Sequence, residues 1–239
     1  MTIESLTNPG DDREHFGIAT ADMVRQVYDQ GADRAVLLMR HSARTFDRSI
    51  HDLLNPLTEH GRNLTRKFGQ LLPKDVLVRG YASPPERCVE TAQLAIAAHE
   101  ADGGEGLRTR PVEALGVFYA LDQQKMWKGL SQADGLADYV GQWFNEDVPR
   151  DAMIPAPLAV ELLLRVLIEK LYAPGAQRQL DLCVTHDMTV YTMRHGVGLE
   201  PVTGPDVEFL DGLILFERDG SLRMRSHHGG EVKISEQTL

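Results

Sequence analysis

"AVLLMRHSARTFD", residues 35–47, runs five consecutive apolar residues straight into Arg40 and His41, with Arg44 three positions beyond. A continuous apolar stretch of this kind suits an inner strand of a parallel sheet, covered on both faces. Ending that strand in so much positive charge is costly unless an anion or an acidic partner waits there. The stretch therefore poses two linked questions: what fold surrounds the strand, and what sits beyond its end.

Working outward, "TADMVRQVYDQG" (residues 20–31) sets Met23, Val24 and Val27 at helical spacing, with Gly31 as a stop and residues 1–19 as a loose leader. On the other side, "NPLTEHGRNLTRKFGQLLP" (55–73) offers Thr58 as an N-cap and Leu64, Phe68, Leu71 and Leu72 at helical spacing before Pro73. "DVLVRGYAS" (75–83) reads as a second strand and "PPERCVETAQLAIAAHE" (84–100) as a helix with prolines at its start, where a missing N–H costs little. Strand, helix, strand, helix predicts a three-layer α/β/α sandwich with a mostly parallel central sheet.

The alternation then breaks. "ADGGEGLRTRP" (101–111) reads as a Gly-rich connection, and Phe118 to Pro157 carries Tyr119, Trp127, Tyr139, Trp143 and Phe144 among acids and lysines, the texture of a small helical cap. The core resumes with a helix at 158–172, a strand "LDLCVTH" (180–186), a helix "DMTVYTMRHGVG" (187–198) and a hairpin "GLILFERDGSLRMRSH" (212–227) turning at Asp219-Gly220. The whole chain, 1–239, is expected to be one domain, its core at about 33–100 and 158–228 and its cap at about 101–157.

A composition of 42% hydrophobic and 25% charged residues is that of a soluble globular protein, not a disordered one. The formal net charge of -10 argues against a nucleic-acid binder, which needs an excess of Lys and Arg. Cys88 and Cys183 have no CxxC spacing, so neither a disulfide framework nor a structural zinc site is expected. The polar, acidic start and the absence of any span-length apolar run point to a cytoplasmic protein with no membrane partner.

Three apolar strands run into polar residues at their C-terminal ends: Arg40-His41, "SPPER" with Arg87, and His186-Asp187. In parallel α/β sheets those ends share one edge, where ligands bind. Arginine forks match phosphate oxygens, so Arg40, Arg44 and Arg87 together make a phosphate trap, and a neutral histidine among them can act as nucleophile.

In that order the motifs resemble the histidine phosphatase superfamily, which includes acid phosphatases, phytases and phosphoglycerate mutases. "LMRHSAR" (38–44) is similar to its Arg-His-Gly-x-Arg signature, "LTEHG" (57–61) to Leu-Thr-x-x-Gly, and "SPPERCVETA" (83–92) to Ser-x-x-x-Arg-x-x-x-Thr-Ala. "THDMTV" (185–190) and "VEFLDGLILFE" (207–217) resemble the acid-phosphatase branch. The resemblance implies that His41 takes the phosphoryl group, that Arg40, Arg44, Arg87 and His186 hold its oxygens, and that Asp187 protonates the leaving alcohol. It implies no metal and no cofactor, and a small phosphorylated metabolite as substrate.

The chain departs from the signature at Ser42, in place of Gly, and at Thr45-Phe46, in place of a Pro. Ser42 either takes an ordinary backbone conformation or adds its hydroxyl to the phosphate site. Glu113 in "RPVEALG" is the rival proton donor, and Lys125, Trp127 and Lys128 are candidates for the mouth of the site. The same chemistry accommodates a mutase-like phosphotransferase or a protein phosphohistidine phosphatase, and a catalytically silent phosphate sensor is the reading from another class. His51, His60, His99, His195 and the His227-His228 pair read as surface or packing residues, and Cys88 as core.

Overall fold

The computed structural model describes residues 13–47 and 49–235. Most of the expected leader, residues 1–12, lies outside the described residues, and its last part is already structured, since α1 (Ile18–Asp29) starts at Ile18 behind an N-cap Gly17 with φ 80°. The chain continues through β1 (Arg34–Arg40), α2 (Glu59–Leu71), β2 (Leu77–Ala82), α3 (Glu86–Ala101) and β3 (Glu105–Pro111). Then come α4 (Gln123–Gln132), α5 (Leu136–Phe144), α6 (Ala156–Tyr172), β4 (Gln179–Thr185) and α7 (Asp187–Gly196). It closes with β5 (Gly212–Arg218), β6 (Ser221–Ser226) and β7 (Glu231–Lys233).

The seven strands form one sheet in the order β3-β2-β4-β1-β5-β6-β7. β1, β2, β3 and β4 are parallel, and β5, β6 and β7 extend the sheet antiparallel. Alternate side chains of each inner strand enter opposite layers. Val36 and Leu38 of β1 join Cys183, Leu213 and Leu215 under α5, α6 and α7, whereas Leu37 and Met39 join Leu180, Leu182 and Ile214 under α1, α2 and α3. Two apolar cores thus sandwich the sheet, as the continuous apolar run of β1 predicts. Leu37, Leu38 and Met39 are fully buried, and truncating either leucine to alanine is worth about 2–5 kcal/mol of stability.

Two elements differ from expectation. The Gly-rich segment assigned to the cap contains β3, paired in parallel with β2, so the cap's excursion from the sheet begins after Pro111. As an edge strand β3 buries no residue fully, and Leu107 is half exposed, so it lacks the apolar run by which an inner strand is recognised. β7 is only three residues long, too short for any periodicity to show. The cap itself holds α4 and α5, anchored by Tyr119, Tyr139 and Trp143, all buried against α6 and α7. Among the described residues no helix is long and apolar enough to cross a membrane.

Candidate active site

β2, β4 and β1 are neighbours with their C-terminal ends in register: Ala82 pairs with Val184, and Arg40 with Thr185. The ladder runs one step past the strands, Ser83 N–H donating to the Val184 carbonyl and His41 N–H to that of Thr185, both at 2.9 Å. These bonds fix Ser83, His41 and His186 side by side. α3 and α7 start just beyond, which sets Arg87 in the first turn of one and Asp187 at the first position of the other.

His41 is 2% exposed. Its Nδ1–H donates to the Ser42 carbonyl at 2.8 Å, which leaves Nε2 with its lone pair, and Arg87 Nε–H donates to that atom at 3.1 Å. Burial first, then Arg87, His186 and Arg40, hold its pKa well below the usual histidine value. The ring is therefore neutral at pH 7, with a nucleophilic nitrogen aimed at the arginines. His186 lies edge-on to it, ring centres 5.6 Å apart, and is pushed down to about 4 by burial and by Arg87. Its Nε2 is 2.9 Å from Ser83 Oγ, and its Nδ1 is 3.5 Å from Arg87 Nη2. Because an arginine can only donate, Nδ1 is the acceptor, and Nε2–H donates to the serine.

Arg40 donates from Nη1 to the Val207 carbonyl at 2.7 Å, sits 2.9 Å from Asp187 Oδ2, and stacks 4.2 Å over the Phe209 ring. Phe209 also lies 6.2 Å from the His41 ring, brought there by a turn in which Leu210 adopts φ 62°. Asp187 accepts from Met188 N–H at 2.8 Å. Burial works against its charged form, but Arg40, the Met188 amide, His186 and Arg44 outweigh burial and lower its pKa. Asp187 is a carboxylate here.

Asp52, in a 3-10 turn (Asp52–Leu54), bridges the other two arginines: Oδ1 is 2.8 Å from Arg44 Nη2 and Oδ2 3.2 Å from Arg87 Nη2, while its carbonyl accepts from Arg87 Nη1 at 2.8 Å. The expected His41, Arg40, Arg44, Arg87, His186 and Asp187 thus form one group. The expectation that Ser42 adds to the phosphate site is corrected: it is fully buried, its Oγ donates to the Gly61 carbonyl at 2.8 Å, and its φ is not positive, so a serine stands here without strain. Gly61 carries the close approach instead, since a Cβ there would lie 2.1 Å from the Ala43 carbonyl oxygen.

Glu113 is exposed, in a 3-10 turn (Glu113–Leu115) followed by Gly116, where a Cβ would lie 3.3 Å from Ser83 Oγ. Lys125, Trp127 and Lys128 are exposed on α4, and Lys125 is bound to Asp151 within the cap; no hydrogen bond or ion pair seen among the described residues links the three to the arginine group. Cys88 is core as expected, its thiol pushed up to about 12 by burial, and His99 and His195 pack, the latter edge-on to Phe144 at 4.5 Å. Sequence reading missed Asp52, Ser83, Val207 and Phe209. Ser83 and Phe209 lie inside quoted motifs and were within reach; nothing local distinguishes Asp52 from other loop acids.

A buried cluster of arginines around a neutral, oriented histidine at the strand ends of an α/β sheet has the chemistry to hold the oxygens of a phosphoryl group. Residues 36–112 match the family described as the histidine phosphatase superfamily (branch 1), in line with the resemblance that the motifs carry. The match ends before His186 and Asp187, the pair on which the leaning to the acid-phosphatase branch rests. No curated protein matches the chain in sequence. Among solved structures, a phosphoglycerate mutase from Bacillus anthracis str. Sterne shares the fold at TM-score 0.54 and 17% identity, covering 83% of this chain and 94% of the other. A phytase of Klebsiella sp. ASR1 aligns at TM-score 0.46 and 14% identity over 86% and 88%. One of Hafnia alvei, in complex with tartrate, aligns at 0.47 and 12% over 85% and 90%.

Proposed function

We propose that the protein is a metal-independent phosphomonoesterase of the cytoplasm that hydrolyses a small phosphorylated metabolite through a phosphohistidine on His41. The observation that carries this reading is the state of His41: Nδ1–H is committed to a backbone carbonyl and Nε2 presents its lone pair beside Arg87.

In the first step Nε2 attacks phosphorus in line, the P–O bond to the alcohol breaks, and Asp187 gives the leaving oxygen a proton. Arg40, Arg44, Arg87 and His186 stabilise the charge on the three equatorial oxygens, positioning and electrostatics being most of what phosphoryl transfer requires. Asp187 is ionised in the free protein, so its proton must arrive with the substrate; a bound phosphate dianion beside it raises its affinity for one. In the second step a water gives its proton to Asp187 and attacks phosphorus, releasing phosphate and restoring neutral His41.

The test is hydrolysis of an aryl phosphate in excess chelator by wild type and His41→Ala. Turnover that falls by about a thousandfold or more in the variant, with acid-labile, base-stable label on wild type only, is the expected result. Turnover that survives in His41→Ala overturns the mechanism. Return of the phosphoryl group to a second hydroxyl instead of water would make the protein a phosphotransferase.

A further inference from the structure

The turn that follows β6 brings two imidazoles together instead of sending them to opposite faces. His227 and His228 lie with ring centres 3.9 Å apart, and Gly229, at φ 93°, lets the chain reverse immediately afterwards. Both rings lie near Asp211, which ends the segment leading into β5. His227 Nε2 is 3.2 Å from Asp211 Oδ1, and one donor atom from each of Asp211, His227 and His228 lies within 4.8 Å of the others. The 205–211 segment and the hairpin thus contribute to one cluster, outside the phosphate pocket. It is not absorbed by the phosphoryl chemistry.

Its second layer is arranged as for ligands. The other ring nitrogen of His227 donates to the Gly212 carbonyl at 3.3 Å, and Asp211 Oδ2 accepts Glu208 N–H at 2.7 Å, so Nε2 and Oδ1 are left facing each other. His227 and Asp211 are nearly buried, at 8% and 10% side-chain exposure, whereas His228 is more open and leaves a way in. Glu200 adds negative charge next to both imidazoles; its Oε2 is 3.1 Å from Arg194 Nη1, and among the described residues neither of its oxygens accepts a well-aligned hydrogen bond.

We propose that Asp211 Oδ1, His227 Nε2 and a ring nitrogen of His228 bind a divalent transition cation of the zinc class. Two imidazoles and one carboxylate suit such a borderline ion, whereas magnesium and calcium select all-oxygen sets. A tetrahedral zinc with donors at about 2.0–2.1 Å holds them roughly 3.4 Å apart, close to the separation already present between His227 and Asp211. The cation's effect would be structural: the Asp211 carbonyl receives Arg40 N–H at 2.9 Å, so an ion that fixes Asp211 fixes the backbone on which Arg40 stands.

The experiment is calorimetric titration of untagged, chelator-stripped protein with zinc chloride. Wild type should bind one equivalent and give no heat with magnesium; His228→Gln, at the open side, should weaken binding roughly tenfold or more, and the double variant His227→Ala, His228→Ala should abolish it. No zinc uptake by wild type, or undiminished affinity in His228→Gln of wild-type circular dichroism, overturns the proposal. Because the readout is binding and not turnover, it is independent of whether His41 carries a phosphoryl group, and chelator-resistant hydrolysis is compatible with either result.

Discussion

Arg79 of β2 and Asp181 of β4 face each other as a register pair, Nε and Nη2 lying 2.5 and 2.8 Å from the two carboxylate oxygens. Gln179 and the carbonyls of Lys170 and Pro174 complete the bonding of this pair. Beyond the C-terminal ends of the same strands the arithmetic is different: three guanidinium groups, Arg40, Arg44 and Arg87, face two carboxylates, Asp52 and Asp187, with both histidines neutral. Among the described residues, the first region buries charge that cancels, and the second buries one positive charge too many. Burying ions is unfavourable in both, so only the uncancelled region is left in want of an anion. Residue type alone does not separate these two groups of arginines; the local balance of charge does.

Five measurements test that contrast. The largest effect beyond loss of His41 is expected for Asp187→Asn. Hydrolysis of an alkyl phosphate should fall by about a hundredfold or more while that of an aryl phosphate, whose leaving group needs no proton, changes little. Equal loss on both substrates would remove Asp187 as the donor and direct attention to Glu113. Next is Arg79→Leu, which strands Asp181 without its partner. A loss of about 3–5 kcal/mol is expected, seen as a fall in Tm of about 10 °C, with KM for the aryl phosphate unchanged below the transition.

pH separates the regions without mutation. His186 titrates near 4 when folded and near 6.5 when unfolded, so between those values the unfolded chain takes up a proton that the folded protein refuses. Stability is therefore complete above pH 6.5 and is lost as pH falls towards 4, by up to about 3 kcal/mol from this group, and His41 acts with the same sign. Thermal melts from pH 7 to 4 should follow that course; a Tm that stays flat across the window would mean that these imidazoles are not held neutral.

A smaller change is expected for Asp52→Asn. Its carboxylate spans the two arginines that a phosphate would use, so it competes with any anion at high effective concentration. Inorganic phosphate should inhibit the variant several-fold more tightly than wild type; weaker inhibition would show that Asp52 organises the pocket rather than competing in it. The smallest effect belongs to the cap. With Lys125 held by Asp151 and Lys128 exposed, removing both lysines should leave KM for the aryl phosphate unchanged, and a raised KM would bring the cap into the site.

The residues legible in sequence are those whose position follows from strand order. Arg40, His41, His186 and Asp187 stand where apolar runs stop, and an α/β alternation sends those stops to one edge. β3 escaped because the positions it turns towards α3 are Gly106 and Thr109 and the others are exposed, so the edge strand has no apolar period to read. Asp52 escaped because its place depends on Thr45 N–H reaching the Pro56 carbonyl and Asp47 N–H reaching Asn55 Oδ1, which no local spacing encodes. Ser42 was legible only as an alternative between two roles. Deciding it required the fold, because the hydroxyl's acceptor belongs to α2.

The bond from His41 Nδ1 to the Ser42 carbonyl also governs how long a phosphorylated enzyme would last. Once Nε2 carries phosphorus, the ring keeps its Nδ1 proton and becomes cationic. A carboxylate partner would share that proton, lend electron density to the ring and strengthen the P–N bond. A neutral carbonyl lends little, and the neighbouring guanidinium groups make a cationic ring still less comfortable. The imidazole would thus be an eager leaving group, and a phosphohistidine formed on His41 as proposed would discharge rapidly instead of being stored.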